Sequence, residues 1–401
     1  MHAETILAQV LRPCLKTLHA KRANALLRAT AAKLHGGVTS LSAIALGLGG
    51  GIALKHRIKS VDRLLGNSAL HGARAELYRG MALRWLKDLP HLLLVVDWSD
   101  LTRDQRWQLL RASVVVEGRS ITLYEEVHPQ KKLGNPTVHR RFLRRLARIL
   151  PPGCTPIVMT DAGFHAGWFK MVHALGWAFV GRIRGRNRLQ LQPSDDWVPA
   201  RDLYTGARAQ VRDLGLGAYV RSNPVAVRAV LSKRPKKGRH QLNCYGVKRK
   251  AKASVKNARS AREPWLLVSS LGLRHLSAEA IVTLYAQRMR IEQSFRDTKN
   301  LRLGLGLDSA RSRSGPRFEI LLLIAHLASF VQRLIGESAK QQQLELQFTA
   351  TRRSSRPEIS VLTLGRRILD VAPRLLHQLA PWRMIPPLTR QAACACGDLG
   401  L

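Results

Sequence analysis

Tyr285, Arg288, Glu292 and Lys299 are offset by 3, 7 and 14 positions from the first of them. On one helix, residues 285–299, those offsets put all four on one face. A carboxylate flanked by two cations and a phenol suits phosphate chemistry: the cations hold phosphate oxygens, and the phenol donates a hydrogen bond or stacks on a base. The same pattern also describes a solvated helix laced with Glu–Arg pairs. Two acids far upstream decide for the first reading. The apolar run 92–96 ends at Asp97-Trp98-Ser99-Asp100, and the run 156–160 ends at Asp161-Ala162-Gly163. Runs of this kind suit buried strands, and sites collect where such strands meet loops. One strand-end Asp is as readily a turn former or helix cap. Three gathered carboxylates, Asp97, Asp161 and Glu292, repel unless divalent cations share them. Magnesium or manganese is the expected cofactor, in a two-metal site that activates an attacking hydroxyl and stabilises the leaving oxygen of phosphoryl transfer.

The elements that must carry these residues are legible as hydrophobic pattern. Strands are expected at 92–96, 111–116 and 121–127, the last two joined by a hairpin turn at Glu117-Gly118-Arg119-Ser120. A basic amphipathic helix at 138–150 is halted by Pro151-Pro152-Gly153, and strand 156–160, helix 164–175 and strand 177–183 follow. The order β-β-β-α-β-α-β predicts an α/β mixed sheet with helices on its faces. Residues 1–85 read as helical, with a helix start at Thr39-Ser40-Leu41-Ser42. In the helix from Leu54, Ile58, Val61, Leu64 and Leu65 form the apolar face, Lys55, Arg57, Lys59 and Arg63 face out, and Gly66-Asn67 is the expected C-cap. A glycine turn at 47–51 before it makes this a helix-turn-helix candidate. Residues 186–262 read as a β-rich insertion with strands at 210–213 and 225–232, leading to the cationic Lys233-Arg234-Pro235-Lys236-Lys237-Gly238-Arg239 and Lys248-Arg249-Lys250. A strand at 263–268, an apolar helix at 318–335 and a helical tail with a frayed end at Cys394-Ala395-Cys396 complete the chain.

Composition narrows the partner. The 401 residues carry 66 Lys+Arg against 26 Asp+Glu, a net charge of +40. Such a surplus repels itself unless a polyanion shares the surface, and nucleic acid is the expected partner. An anionic membrane fits less well, because the charge is spread along the chain. At 45% hydrophobic the chain is not disordered. Its five cysteines have no C-x-x-C spacing, so neither a structural zinc site nor disulfides are implied. No signal peptide is read at the N-terminus, the apolar stretches 38–54 and 318–335 are expected as buried helices, and the chain is expected to be cytoplasmic and nucleoid-associated.

At these residues the sequence resembles the DDE transposases of the insertion-sequence-four family, and within it stands closest to the insertion-sequence-ten transposases. The family's Y-x2-R-x3-E-x6-K pattern is complete in Tyr285, Arg288, Glu292 and Lys299. Asp97 lies in Val96-Asp97-Trp98-Ser99-Asp100 and Asp161 in Asp161-Ala162-Gly163-Phe164. Arg111-Ala112-Ser113, Gly118-Arg119-Ser120, Leu175-Gly176-Trp177 and Glu263-Pro264-Trp265 also match, over about residues 55–335. The resemblance implies a ribonuclease-H-like mixed-sheet catalytic core in two parts, 88–185 and 263–335, split by the β-rich basic insertion 186–262. Outside it, the helical pattern and the basic charge give a helical DNA-binding domain at 1–87 and a helical C-terminal region at 336–401.

The implied activity is magnesium-dependent cut-and-paste transposition. Water nicks the element's end, the freed 3′-hydroxyl makes a hairpin on the opposite strand, water reopens it, and the 3′-hydroxyl joins target DNA. Asp97, Asp161 and Glu292 are the implied catalytic and metal-binding residues, and Tyr285, Arg288, Lys299 and Trp265 the implied DNA-binding ones. Trp265, 27 residues before Glu292, matches the tryptophan that receives a flipped base, although a core tryptophan on a strand reads the same way. Trp98 reads as packing. The implied partners are double-stranded DNA, as terminal inverted repeats and target, and a second copy in a dimeric synapse. An inactive relative acting as a repressor, or a ribonuclease-H-like nuclease or resolvase, are the competing expectations.

Overall fold

The computed structural model describes residues 3–35, 38–185, 187–233, 247–248, 250–252, 255, 263–300, 305–307, 310–349 and 359–397. Helices α1 (Ala3–Leu11), α2 (Ala20–His35), α3 (Leu41–Gly47), α4 (Leu54–Leu65) and α5 (Ser68–Leu86) come first. Strands β1 (His91–Asp100), β2 (Trp107–Val116) and β3 (Arg119–Pro129) precede α6 (Pro136–Ile149), β4 (Thr155–Thr160), α7 (Ala166–His173) and β5 (Ala178–Ile183). Then follow β6 (Arg188–Leu191), β7 (Trp197–Pro199), β8 (Arg212–Tyr219), β9 (Val225–Ser232) and β10 (Trp265–Ser269). The described chain ends in helices α8 (Ala278–Ala286), α9 (Met289–Lys299), α10 (Gly315–Gln341), α11 (Val361–Val371) and α12 (Ile385–Gly397). Two compact units result, one of Met1–Cys154 with Met289–Asp398, the other holding Thr155–Arg288.

In the first unit β3, β2 and β1 are antiparallel neighbours in that order. Val116 pairs with Arg119 across the hairpin, so the turn is Glu117-Gly118, with Gly118 at φ +67°, where a side chain would be strained. Asp97 on β1 stands opposite Arg111 on β2. The unit's core is α10. It is long and apolar enough to cross a membrane by composition alone, but 89% of its most apolar window is buried inside the protein. It packs on α2, α5, α11 and β3. Its approach to α11 is so close that a Cβ on Gly365 would lie 1.9 Å from the Gln332 carbonyl oxygen, and one on Gly336 2.0 Å from that of Val361.

At the helix ends of this unit one expected cap forms as read and two expected ends differ. Ser40 caps α3 through its hydroxyl, which accepts from Ala43 N at 3.2 Å. The expected Gly66-Asn67 C-cap is divided between two helices instead. Gly66 closes α4 at φ −95°, outside the left-handed region, while the Asn67 side chain accepts from Leu70 N at 2.9 Å and starts α5. The end expected to fray at Cys394–Cys396 is helical in α12. Leu388, Ala392 and Cys396 recur every four residues and are buried, and α12 packs on α5, β1 and β2.

In the second unit the strand order is β4-β5-β10-β9-β8-β6-β7. The β4–β5 pair is parallel and joined by α7, whereas every other neighbouring pair is antiparallel, which makes the sheet mixed. The β-rich stretch after residue 186 therefore continues the sheet through the β9–β10 ladder. Strands β6 and β7 were not expected from pattern, being four and three residues long. Of the cationic stretches, residues 234–239 and 249 lie outside the described residues.

The helix expected at 285–299 is two helices. At Gln287 and Arg288 the backbone N–H groups bond to Leu284 O (3.0 Å) and Tyr285 O (3.1 Å), three residues back rather than four. This tightening ends α8 before α9 begins and interrupts the helical face. Tyr285 and Arg288 consequently belong to the second unit, Glu292 and Lys299 to the first.

Candidate active site

Residues 92–96 of β1 are fully buried, which locks the strand's register and delivers Asp97 at a defined point. Asp97 lies within β1, three residues before its end, rather than beyond it as the pattern suggested. It is 9% exposed, and its Oδ1 accepts from Trp98 N at 2.8 Å. Across from it, α9 turns Glu292, Arg296 and Lys299 to one side, at offsets of 4 and 3. These three, with Asp97, Ser99 and Asn300, line one cavity of about 460 Å³. Lys299 is held at its wall: Nζ donates to Ser99 Oγ at 2.8 Å and lies 5.9 Å from the Phe295 ring centre. Two carboxylates, two cations and a hydroxyl thus face one space, a combination suited to a phosphodiester and a hard cation.

The opposite side of α9 explains why the helix sits there. Arg111, 2% exposed, donates from Nε and Nη2 to Glu125 Oε2 (2.8 and 2.7 Å). Its Nη1 reaches Ser294 Oγ at 2.9 Å and Thr298 Oγ1 at 3.0 Å, one helical turn apart on α9. Glu125, 1% exposed, also accepts from Tyr78 OH at 3.0 Å. The hairpin adds more anchors. Arg119 bonds Asp297 Oδ2 (3.1 Å) and Gln293 Oε1 (2.6 Å), and Arg290 donates to the Val116 carbonyl. Burial raises the Asp297 carboxyl and Arg119 pulls it back, leaving it above the ordinary carboxylate range.

Arg111 and Glu125 are positioning residues that pattern reading left without a role. The available signal was an arginine inside the largely apolar β2 and a glutamate pair, Glu125-Glu126, inside β3. The neighbouring Glu126 accepts from Tyr124 OH (2.8 Å), His128 Nε2 (2.9 Å) and Arg145 Nη1 (2.7 Å). Burial pushes its carboxyl up, but the bonds from His128 and Arg145 outweigh that and hold it down at about 2. Trp98 packs between His128 and His139 and donates from Nε1 to His139 Nε2 at 3.0 Å.

The remaining expected site residues are in the second unit. Asp161 directly follows β4, and its Oδ1 accepts from Gly163 N at 2.8 Å, a turn-forming contact. Trp265 opens β10 opposite Ser232, half-buried, with its ring edge-on to Tyr285 at 4.9 Å. Tyr285 is 3% exposed, and the Arg288 guanidinium lies 5.9 Å from its ring centre. Tyr285 is therefore a packed ring between Trp265 and Arg288. Among the described residues, no three His, Cys, Asp or Glu side chains are gathered closely enough to hold a metal ion. Of the three expected acids, Asp97 and Glu292 line a common cavity.

A family model described as the transposase DDE domain matches residues 88–331, more than half of the 401 residues. No curated protein matches the sequence.

Proposed function

The chain belongs to the transposase DDE-domain family, and on that premise we propose that it is a cut-and-paste transposase of the insertion-sequence-four type, nearest to insertion sequence ten. In this reading it binds the ends of a mobile element, cuts them through a hairpin and joins the 3′-hydroxyl ends to target DNA. The observation that carries the reading is the shared cavity: Asp97 and Glu292, 195 residues apart, line one space with Lys299 at its wall.

The donor set suits magnesium or manganese, which favour oxygen ligands and are commonly held by one or two carboxylates with substrate phosphate and water completing the shell. When bound, such ions polarise the attacking oxygen and neutralise charge on the leaving one. Asp97 and Glu292 would hold them, and Asp161 is the third carboxylate we assign to that task. Lys299, steadied by Ser99, and Arg296 receive the non-bridging phosphate oxygens. Arg288, with Tyr285 packed against it, is a further DNA-binding residue in this reading. Trp265 offers its half-buried indole to a flipped base, where stacking contributes about 1–3 kcal/mol. A second copy is needed to cut two ends together. The mixed sheet with flanking helices is compatible with a ribonuclease-H-like core.

Cleavage of labelled element-end DNA in magnesium tests this. Asp97→Asn, Asp161→Asn and Glu292→Gln should each abolish cutting and retain binding, and normal cutting by any of them refutes the assignment. Trp265→Ala should spare the first nick and impair the hairpin step. Equal loss of both would leave Trp265 only its packing on Tyr285.

A further inference from the structure

A second cavity, of about 560 Å³, opens where the chain leaves β1. Its walls are the 101–107 loop and residues 310–313, which lead into α10. Among the described residues, the charged side chains lining it are Arg103, Arg106, Arg311 and Arg313 against Asp104. All four arginines are exposed. Asp104 shapes the loop: its Oδ1 accepts from Thr102 Oγ1 at 2.5 Å and from Arg106 N at 3.2 Å, while its Oδ2 lies 3.9 Å from Arg106 Nε.

The loop is built rather than slack. Leu101 N bonds Trp107 O at 2.8 Å, Gln105 N bonds Thr102 O at 3.0 Å, and Gln105 takes φ +58° to turn the chain. The floor is Trp107, pressed so tightly on Gly315 that a Cβ there would come within 2.8 Å of the indole. Gly315 is the first residue of the 27-residue α10, whose N-cap Ser314 makes no side-chain bond, so the positive end of the helix dipole adds to the same field. Arginines converging on a shaped groove of this size are the chemistry of a phosphate track.

We propose that this groove binds the phosphodiester backbone of duplex DNA, an inference that rests on the function proposed above. Leu101, the first residue after β1, follows Asp97 by four positions, about 13 Å at extended spacing. That is about four base-pair rises, so one duplex with a phosphate at the Asp97–Glu292 cavity can also lie in the groove.

The test is the salt dependence of binding by the full-length protein to a labelled duplex of about 40 base pairs and mixed sequence. Replacing Arg103, Arg106, Arg311 and Arg313 together by Gln should lower the slope of log K against log[salt] by about 3–4, at about 0.9 per phosphate contact. The corresponding four-Lys variant should keep the slope. In the cleavage assay the four-Gln variant should raise KM and leave kcat unchanged. An unchanged slope, or equal loss with Lys and Gln, overturns the inference, and an acidic protein segment then becomes the better occupant. The two readings fail separately. If Asp97→Asn still cuts while the slope falls as expected, the catalytic reading is wrong and the groove stands. If Asp97→Asn is dead and the slope does not move, only the groove falls.

Discussion

Arg111→Met is the perturbation that probes most directly how the cavity is built. Arg111 and Glu125 are both nearly fully buried, and Arg111 bridges Glu125 on β3 to Ser294 and Thr298 on α9. Removing one member of a buried pair strands the other charge in a low-dielectric setting, at a cost of about 3–5 kcal/mol. Losing the two hydroxyl contacts adds about 1 kcal/mol. The sum, about 4–6 kcal/mol, is comparable with the whole stability of a typical domain, about 5–15 kcal/mol.

The informative partner is the double variant Arg111→Met/Glu125→Leu, which removes both charges and keeps apolar volume. It leaves only Tyr78 OH without its carboxylate, so urea unfolding should recover to within about 1–3 kcal/mol of the parent. Cleavage should not recover, because Ser294 and Thr298 stay untethered and α9 no longer holds Glu292 and Lys299 against β1. A loss of tenfold or more in rate, about 1.4 kcal/mol, is expected in the double variant at temperatures where it is fully folded. Two outcomes refute the reasoning. One is a cost below about 1 kcal/mol for Arg111→Met, within the range of an exposed pair. The other is a double variant that regains cleavage together with stability.

Glu126 gives a pH prediction: its folded value is held at about 2 against an ordinary 4.5, so the stability it lends is present above pH 4.5 and lost as pH falls towards 2. The difference in unfolding free energy between the parent and Glu126→Gln should therefore shrink by about 3 kcal/mol across that window, read from urea midpoints at successive pH values. Gly365→Ala forces a Cβ to within 1.9 Å of the Gln332 carbonyl oxygen and should lower Tm by several degrees, at about 1–3 kcal/mol, in a thermal melt. Gly167→Ala, a helical position with open space around its Cβ, is the control and should leave Tm unchanged or slightly higher.

Much of the fold was legible because it is written locally. The apolar run before Asp97, the Ser40 cap, the proline stop after α6 and the Glu117-Gly118 turn each act through neighbours in sequence. The elements that escaped are those whose signal is weak or contradictory at that range. β6 and β7 are too short to show a period, and α12 ends in residues whose burial depends on α5, β1 and β2. The break at Gln287-Arg288 has no proline or glycine to announce it. It arises where two hydrogen bonds shorten by one residue, and it moves Tyr285 and Arg288 into a different unit from Glu292 and Lys299.

By itself the sequence determined which side chains exist to do phosphate chemistry, their approximate secondary structure and the cationic excess that seeks a polyanion. Only the tertiary structure decided that Asp97 and Glu292 line one cavity, that Arg111 is the bolt holding α9 beside β1, and that Tyr285 is a packed ring. These are relations among residues up to 195 positions apart. They follow from burial, strand pairing and the need to satisfy buried charge, which no local window of sequence contains.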